Sequence, residues 1–170
     1  VQRQLAEAVT IISGHDFPAK WSTLIPQLVE KLNGTTDFLV IKGVMLTANS
    51  IFKRFRNVVK SDALYADLIV CLEGFQVPLT EMYVKMHTAV EGFAGDKPQL
   101  AIVMETLRLM TRLFYSLNWQ DIPEYFEDHM NTWMTEFAKY LVYDNPLLHD
   151  DREEAGPIES LQTAIIENLN

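Results

Sequence analysis

The chain has 170 residues, enough for one ordinary core, and its 48% hydrophobic and 22% charged content excludes a disordered chain. A single cysteine, Cys71, excludes an internal disulfide and favours a reducing compartment, and no apolar run approaches the roughly 18 residues of a membrane span. The net charge of −9 is uneven: residues 1–60 carry +4, residues 61–120 carry −3 and residues 121–170 carry −10. This gradient argues against a nucleic-acid surface. It leaves the acidic third either as a surface for a basic partner or as a face kept acidic for solubility.

Helical periodicity predicts seven helices. The first covers about Gln2 to Ser13, with Leu5, Ala8, Val9 and Ile12 on one stripe and Gly14 ending it. His15-Asp-Phe-Pro18 leads tightly into the second, Trp21 to Leu32, which takes Pro26 one turn in and stops at Asn33-Gly34. The third runs from about Thr36 to Asn57, turning Phe38, Ile41, Met45, Ala48, Ile51, Phe52 and Phe55 inward. Ser61-Asp62 caps a long fourth helix that reaches about Phe93. Pro78 is expected to bend or break it, because the ring removes a donor and clashes with the preceding turn.

After the loop Gly95-Asp-Lys-Pro98, the fifth helix spans about Pro98 to Leu117, with Leu100, Val103, Met104, Leu107, Met110, Leu113, Phe114 and Leu117 at helical spacing. Asn118 stops it, Asp121 is placed to cap the next, and Pro123 suits a first turn. The sixth covers about Pro123 to Tyr143, with Phe126, Met130, Trp133, Phe137, Tyr140 and Leu141 inward. Asn145-Pro146 closes it and an acidic loop follows through Gly156. A seventh starts at Pro157 with Ile158, Leu161, Ile165 and Leu169 inward.

No segment alternates as an exposed strand does, so the class is all-α. Serial hairpins with short links fit a bundle or a solenoid. An apolar–Pro pair precedes the second helix of a hairpin twice, at Phe17-Pro18 and Ile122-Pro123, and helical patterns run to both termini. Together these favour an α-solenoid superhelix of antiparallel HEAT-type hairpins. It forms a single segment over 1–170, with hairpins at about 1–34, 35–95 and 97–145 and the start of a further repeat at 157–170. The chain reads as a fragment of a longer protein, whose Leu5, Val9 and Ile12, or Ile165 and Ile166, face missing neighbours. The long third and fourth helices stretch the period beyond the ~40–47 residues of a standard HEAT repeat.

Nothing in the sequence supplies catalytic chemistry. His15, His87, His129 and His149 have no neighbours at metal-ligand spacing, and there is no phosphate-cradling Gly-rich loop and no nucleophile motif. Glu127, Asp128 and His129 are adjacent, so a helix splays them about 100° apart. The chain is therefore expected to have no catalytic residues, cofactor or metal. The tryptophans and most methionines fall on inward stripes and read as core, with an adaptable Met-lined groove as the lesser alternative.

Two surface clusters are candidates for binding a protein partner. One is acidic: Glu124 and Asp128, which with Thr132 and Thr135 lie on the sixth helix opposite its apolar stripe, while Asp121 and Glu127 add to their negative field. The other is basic: Lys53, Arg54, Arg56 and Lys60, at the end of the third helix. These cations either complement the helix dipole or meet an acidic partner segment.

Asp16-Phe-Pro-Ala-Lys-Trp21, Ala48-Asn-Ser-Ile-Phe-Lys-Arg-Phe-Arg56 and Leu113-Phe-Tyr-Ser-Leu-Asn-Trp-Gln-Asp-Ile-Pro-Glu-Tyr-Phe-Glu-Asp128 carry a resemblance. They resemble the importin-β superfamily of nuclear transport receptors and, within it, the branch that re-exports importin-α. The resemblance covers essentially the whole chain, as an N-terminal portion of a longer receptor. It implies a HEAT superhelix that binds Ran in its GTP form together with importin-α, moves between nucleus and cytoplasm, and meets nuclear pore components. It also implies that second helices line the inner surface, where the acidic cluster would attract the basic N-terminal segment of importin-α. The residues alone equally allow a helical scaffold or adaptor with unrelated partners.

Overall fold

The computed structural model describes residues 2–149 and 155–170, and in the first helix the side chains of residue 4 and of residue 7 onward. Among the described residues the α-helices are α1 (Gln2–Asp16), α2 (Leu24–Asn33), α3 (Phe38–Phe52), α4 (Asp62–Gly92), α5 (Lys97–Asn118), α6 (Glu124–Asp128), α7 (Met130–Leu141) and α8 (Pro157–Leu169). Two 3-10 turns, Lys53–Phe55 and Pro146–Leu148, complete the set, and the described residues contain no strand. The helices form an α-solenoid. In one layer α1, α3, α5 and α8 stack side by side, and in the other α2, α4 and α7 do the same.

Short polar side chains set the helix starts. Asp37 Oδ1 accepts the Leu39 N–H at 2.8 Å, Ser61 Oγ accepts that of Leu64 at 3.3 Å, and Asp96 Oδ1 accepts that of Gln99 at 3.1 Å. Several expected boundaries move. Helix α1 continues through Gly14, which does not adopt the left-handed cap, and stops at Asp16, where the Phe17–Pro18 link no longer suits a helix. Its buried face runs through Ser13 to Phe17, with Val9 half-buried, whereas Ala8 and Ile12 are exposed; Leu5 lies outside the described side chains. Helix α2 begins only at Leu24, which leaves Pro26 in the first turn and Trp21 half-buried in the link.

The expected interruption of α4 is not there: the helix runs unbroken for 31 residues through Pro78. The ring removes only one donor, and Phe75, Leu79, Thr80 and Tyr83, all buried, clamp the backbone on both sides. Thr80 Oγ1 also donates to the Gln76 carbonyl at 2.9 Å, in the same turn. By length and composition α4 passes for a membrane span. One side of it, however, packs on α2, α5 and α7 within the solenoid.

Gly74 is what lets α2 lie on α4. A Cβ there would come within 2.5 Å of Ile25 Cγ2, and Ile25 is 1% exposed, so the methyl has nowhere to move. Gly74→Ala is expected to destabilise by about 1–2 kcal/mol, overpacking outweighing the gain in helix propensity. Ile25→Leu, which moves the branch away from Cβ, should recover part of that loss in a double-mutant cycle measured by urea denaturation. Additive costs would show that the two residues do not meet.

The sixth predicted helix is divided at His129, whose φ of −99° and ψ of 7° separate α6 from α7. The imidazole stacks on Tyr125 at 4.1 Å between ring centroids, and its Nδ1 lies 2.7 Å from the Tyr125 carbonyl oxygen, beside the backbone ladder. Asp121 does not cap α6. Its carboxylate accepts from the neighbouring Ile122 N–H and pairs with Lys60 at 3.7 Å, while Pro123 occupies the cap position without a side-chain bond. In α8, Ile158, Leu161 and Ile165 are buried as expected, but Leu169 is 51% exposed, as is Ile166 at 49%.

Helix α5 is the spine. Its expected apolar stripe is buried, and so are Thr106, Leu109, Thr111 and Ser116, because α3, α8 and α4 cover it on several sides. The three hydroxyls donate to carbonyls four residues back, at 2.7–2.9 Å, so no donor is left unpaired. Between the layers, Trp133 sits within 4.3–6.0 Å of the Tyr83, Phe114, Phe126 and Phe137 rings. Its Nε1–H donates to Thr80 Oγ1 at 3.1 Å.

Amide side chains tie successive hairpins together by reaching exposed helix-end carbonyls. Gln120 Nε2 donates to Phe55 and Val58, Asn145 Nδ2 donates to Ala94, and Gln162 Nε2 donates to Tyr140, Leu141 and Tyr143.

Candidate protein-interaction surface

Phe126, fully buried, pins the short α6 to the core. With that side fixed, the helical turn directs Glu124, Glu127 and Asp128 outward, and all three are exposed. None makes an ion pair with a described residue. Glu124 and Asp128 line a shallow groove between α6 and α4, and Glu73 joins them from α4. Ile69, Leu72 and Tyr125 provide its apolar lining. The groove is thus bordered by three carboxylates, none of which forms an ion pair with a described residue. Thr132 and Thr135 extend the exposed polar face along α7.

The structure does not gather the basic cluster in one place. Lys53 is exposed and makes no ion pair with a described residue. Arg54 is turned inward: it pairs with Asp67 of α4, donates to the Phe17 carbonyl at 3.4 Å, and lies 5.7 Å from the centroid of the Phe55 ring. Arg56 donates to Ser116 Oγ at 2.7 Å, Asn49 Oδ1 at 2.6 Å and the Arg112 carbonyl at 2.9 Å, locking the end of α3 to α5. Burial, reinforced by the nearby Arg112 charge, lowers its guanidinium to a pKa of about 10, which leaves it protonated at neutral pH. Lys60 pairs with Asp121 across two adjacent loops, both side chains largely exposed.

Sequence reasoning missed Glu136, which is 5% exposed in α7 and accepts a bond from Lys139 at 2.6 Å. Burial and this carboxylate together raise the Tyr140 phenol well above its usual range. An i, i+3 Glu–Lys pair in a helix reads as surface, so no local signal marks Glu136 as buried. Among the described residues no group of three or more His, Cys, Asp or Glu side chains converges to hold a metal ion.

The profile of the Cse1 family matches residues 51–170. The chain belongs to the Cse1 family. It is 43% identical over 169 residues to Exportin-2 of Homo sapiens, Danio rerio and Pagrus major, covering 99% of this chain and 17% of each relative. A solved structure, the exportin Cse1 in its cargo-free, cytoplasmic state, superposes with a TM-score of 0.93 at 35% identity, covering 99% of this chain and 18% of that one. The chain therefore spans about a sixth of the length of the curated Cse1-family relatives it matches.

Proposed function

We propose that this chain is a segment of a nuclear export receptor that binds Ran-GTP and importin-α and returns importin-α from nucleus to cytoplasm. The observation that carries this reading is the 43% identity to Exportin-2 over 99% of the chain, joined to the fold match with Cse1. The segment acts as a binding surface and performs no catalysis. In the receptor it shuttles between nucleus and cytoplasm and contacts nuclear pore components on the way. The exposed carboxylates Glu124, Glu127 and Asp128, which pair with no described cation, provide the docking charge. Lys53 is the member of the basic cluster free to meet a partner, whereas Arg54 and Arg56 act by holding the hairpins in register. Exposed ion pairs are worth roughly 0–1 kcal/mol each, so several must act together.

The test is a pull-down with the full-length receptor containing this segment, comparing Ran-GTP with Ran-GDP in the presence of importin-α. Retention of importin-α with Ran-GTP and its loss with Ran-GDP are expected. Equal retention with both nucleotides would leave a helical scaffold with unrelated partners as the better reading.

A further inference from the structure

Helix α4 is buried along one side, yet on the other it presents Val70, Val77 and Val84, which are 38%, 43% and 41% exposed. The three are seven residues apart and lie on one side of the helix, so they form a row of apolar side chains about 21 Å long, at 1.5 Å per residue. A seven-residue apolar spacing is the one a partner helix can follow. Glu73 stands beside the ridge and borders the groove shared with α6, whose far wall carries Glu124 and Asp128. Glu73 thus belongs to the margin of both ridge and groove, and Glu73, Glu124 and Asp128 have no ion-pair partner among the described residues. Along the ridge itself the Glu81 carboxylate is offset by Lys85 at 4.0 Å, so the unbalanced charge lies at the groove.

We propose that this ridge and groove dock an amphipathic helix of a partner protein, with its apolar stripe on Val70, Val77 and Val84 and its Lys or Arg side chains over Glu73, Glu124 and Asp128. Four turns of helix match the length of the ridge. The charge sign rejects an acidic helix or a nucleic acid, and the apolar ridge rejects a purely charged tail. This docking role deepens the receptor reading above and rests on it.

The probe is an 18-residue synthetic helical peptide with leucines on one stripe and lysines along one margin, titrated into the isotope-labelled chain and followed by amide shifts and fluorescence anisotropy. Shifts should concentrate at residues 66–84 and 123–128, and the same peptide with glutamates for lysines should not bind. Glu73→Lys, Glu124→Lys and Asp128→Lys together should weaken binding at least tenfold and flatten its salt dependence. Val70→Asp with Val77→Asp is the decisive pair: it makes the surface more negative, yet should weaken binding about threefold to tenfold. Val70→Ser with Val77→Ser, which leaves charge unchanged, should weaken it in the same direction. Tightening by the aspartates, or shifts spread over other helices, would overturn the docking site in favour of diffuse charge attraction. The same variants go into the full-length receptor. If the parent distinguishes Ran-GTP from Ran-GDP while the variants leave peptide binding unchanged, the docking site fails and the receptor reading stands. If the peptide binds as expected but the nucleotide makes no difference, the receptor reading fails instead.

Discussion

Trp133→Ala is expected to lower the unfolding free energy by about 3–5 kcal/mol, and Phe126→Ala by a similar amount. Both side chains are buried, at 1% and 0% exposure, and both belong to the ring cluster that joins the layers. Trp133 lies 4.3 Å from the Phe114 centroid and 4.6 Å from that of Tyr83, so its removal detaches α7 from α5 and α4 at once. The substitution also takes the Nε1–H from Thr80 Oγ1, although that hydroxyl keeps its own bond to Gln76. Trp133→Phe should separate these contributions: it keeps most of the ring contact, loses the indole donor, and should cost about 1–2 kcal/mol. Urea denaturation followed by circular dichroism measures all three without relying on tryptophan fluorescence. A Trp133→Ala variant within about 1 kcal/mol of the parent would show that the layers are held elsewhere.

Features repeated along a single helix were legible in the sequence. The stripes of α3 and α5 come directly from residue spacing, and the caps at Ser61 and the stop near Asn118 come from residue type. What failed to show was whatever depended on a second neighbour. Thr106, Thr111 and Ser116 look like the polar side of α5, yet that side is covered too, because a helix inside a layer has neighbours on both flanks. The sequence marks Pro78 as a breaker, but it is the packing of Phe75, Leu79 and Tyr83 that keeps α4 continuous. Trp119 reads as core and is 38% exposed, since it falls at the end of α5 where the next elements turn away.

The interaction surface divides in the same way. Glu124 and Asp128 oppose the stripe of Met130, Trp133, Phe137 and Tyr140, a purely local inference, and both are exposed, as is Glu127. Glu73 belongs to the same groove but sits about 50 residues earlier, and only the pairing of α4 with α6 brings it there. The amide bonds from Gln120, Asn145 and Gln162 to carbonyls of preceding elements are equally non-local, and a lone Gln or Asn carries no pattern that announces them.

Arg56→Ala is expected to destabilise by roughly 2–4 kcal/mol, although its sequence context, a run of cations after α3, reads as surface. Its guanidinium makes charge-assisted bonds to Ser116, Asn49 and the Arg112 carbonyl, each kind worth about 1.5–3 kcal/mol when formed and not additive in a shared cluster. Removing it leaves the Asn49 oxygen without that donor and opens the contact between the end of α3 and the last turns of α5. Lysine cannot replace it: one ammonium on a flexible stem does not reach three acceptors set out for a planar fork, so Arg56→Lys should recover at most about half the loss. Lys53, three positions earlier and exposed, serves as the comparison, and Lys53→Ala should change stability by less than ~0.5 kcal/mol. For a chain of this length each kcal/mol moves the midpoint by about 2–4 °C, so a thermal melt resolves the pair. If Arg56→Ala melts with the parent but fails to bind a partner, Arg56 is an interaction residue and the α3–α5 lock lies in other contacts. If it melts early and Lys53→Ala does not, adjacent cations of one cluster have separate roles, one internal and one facing outward.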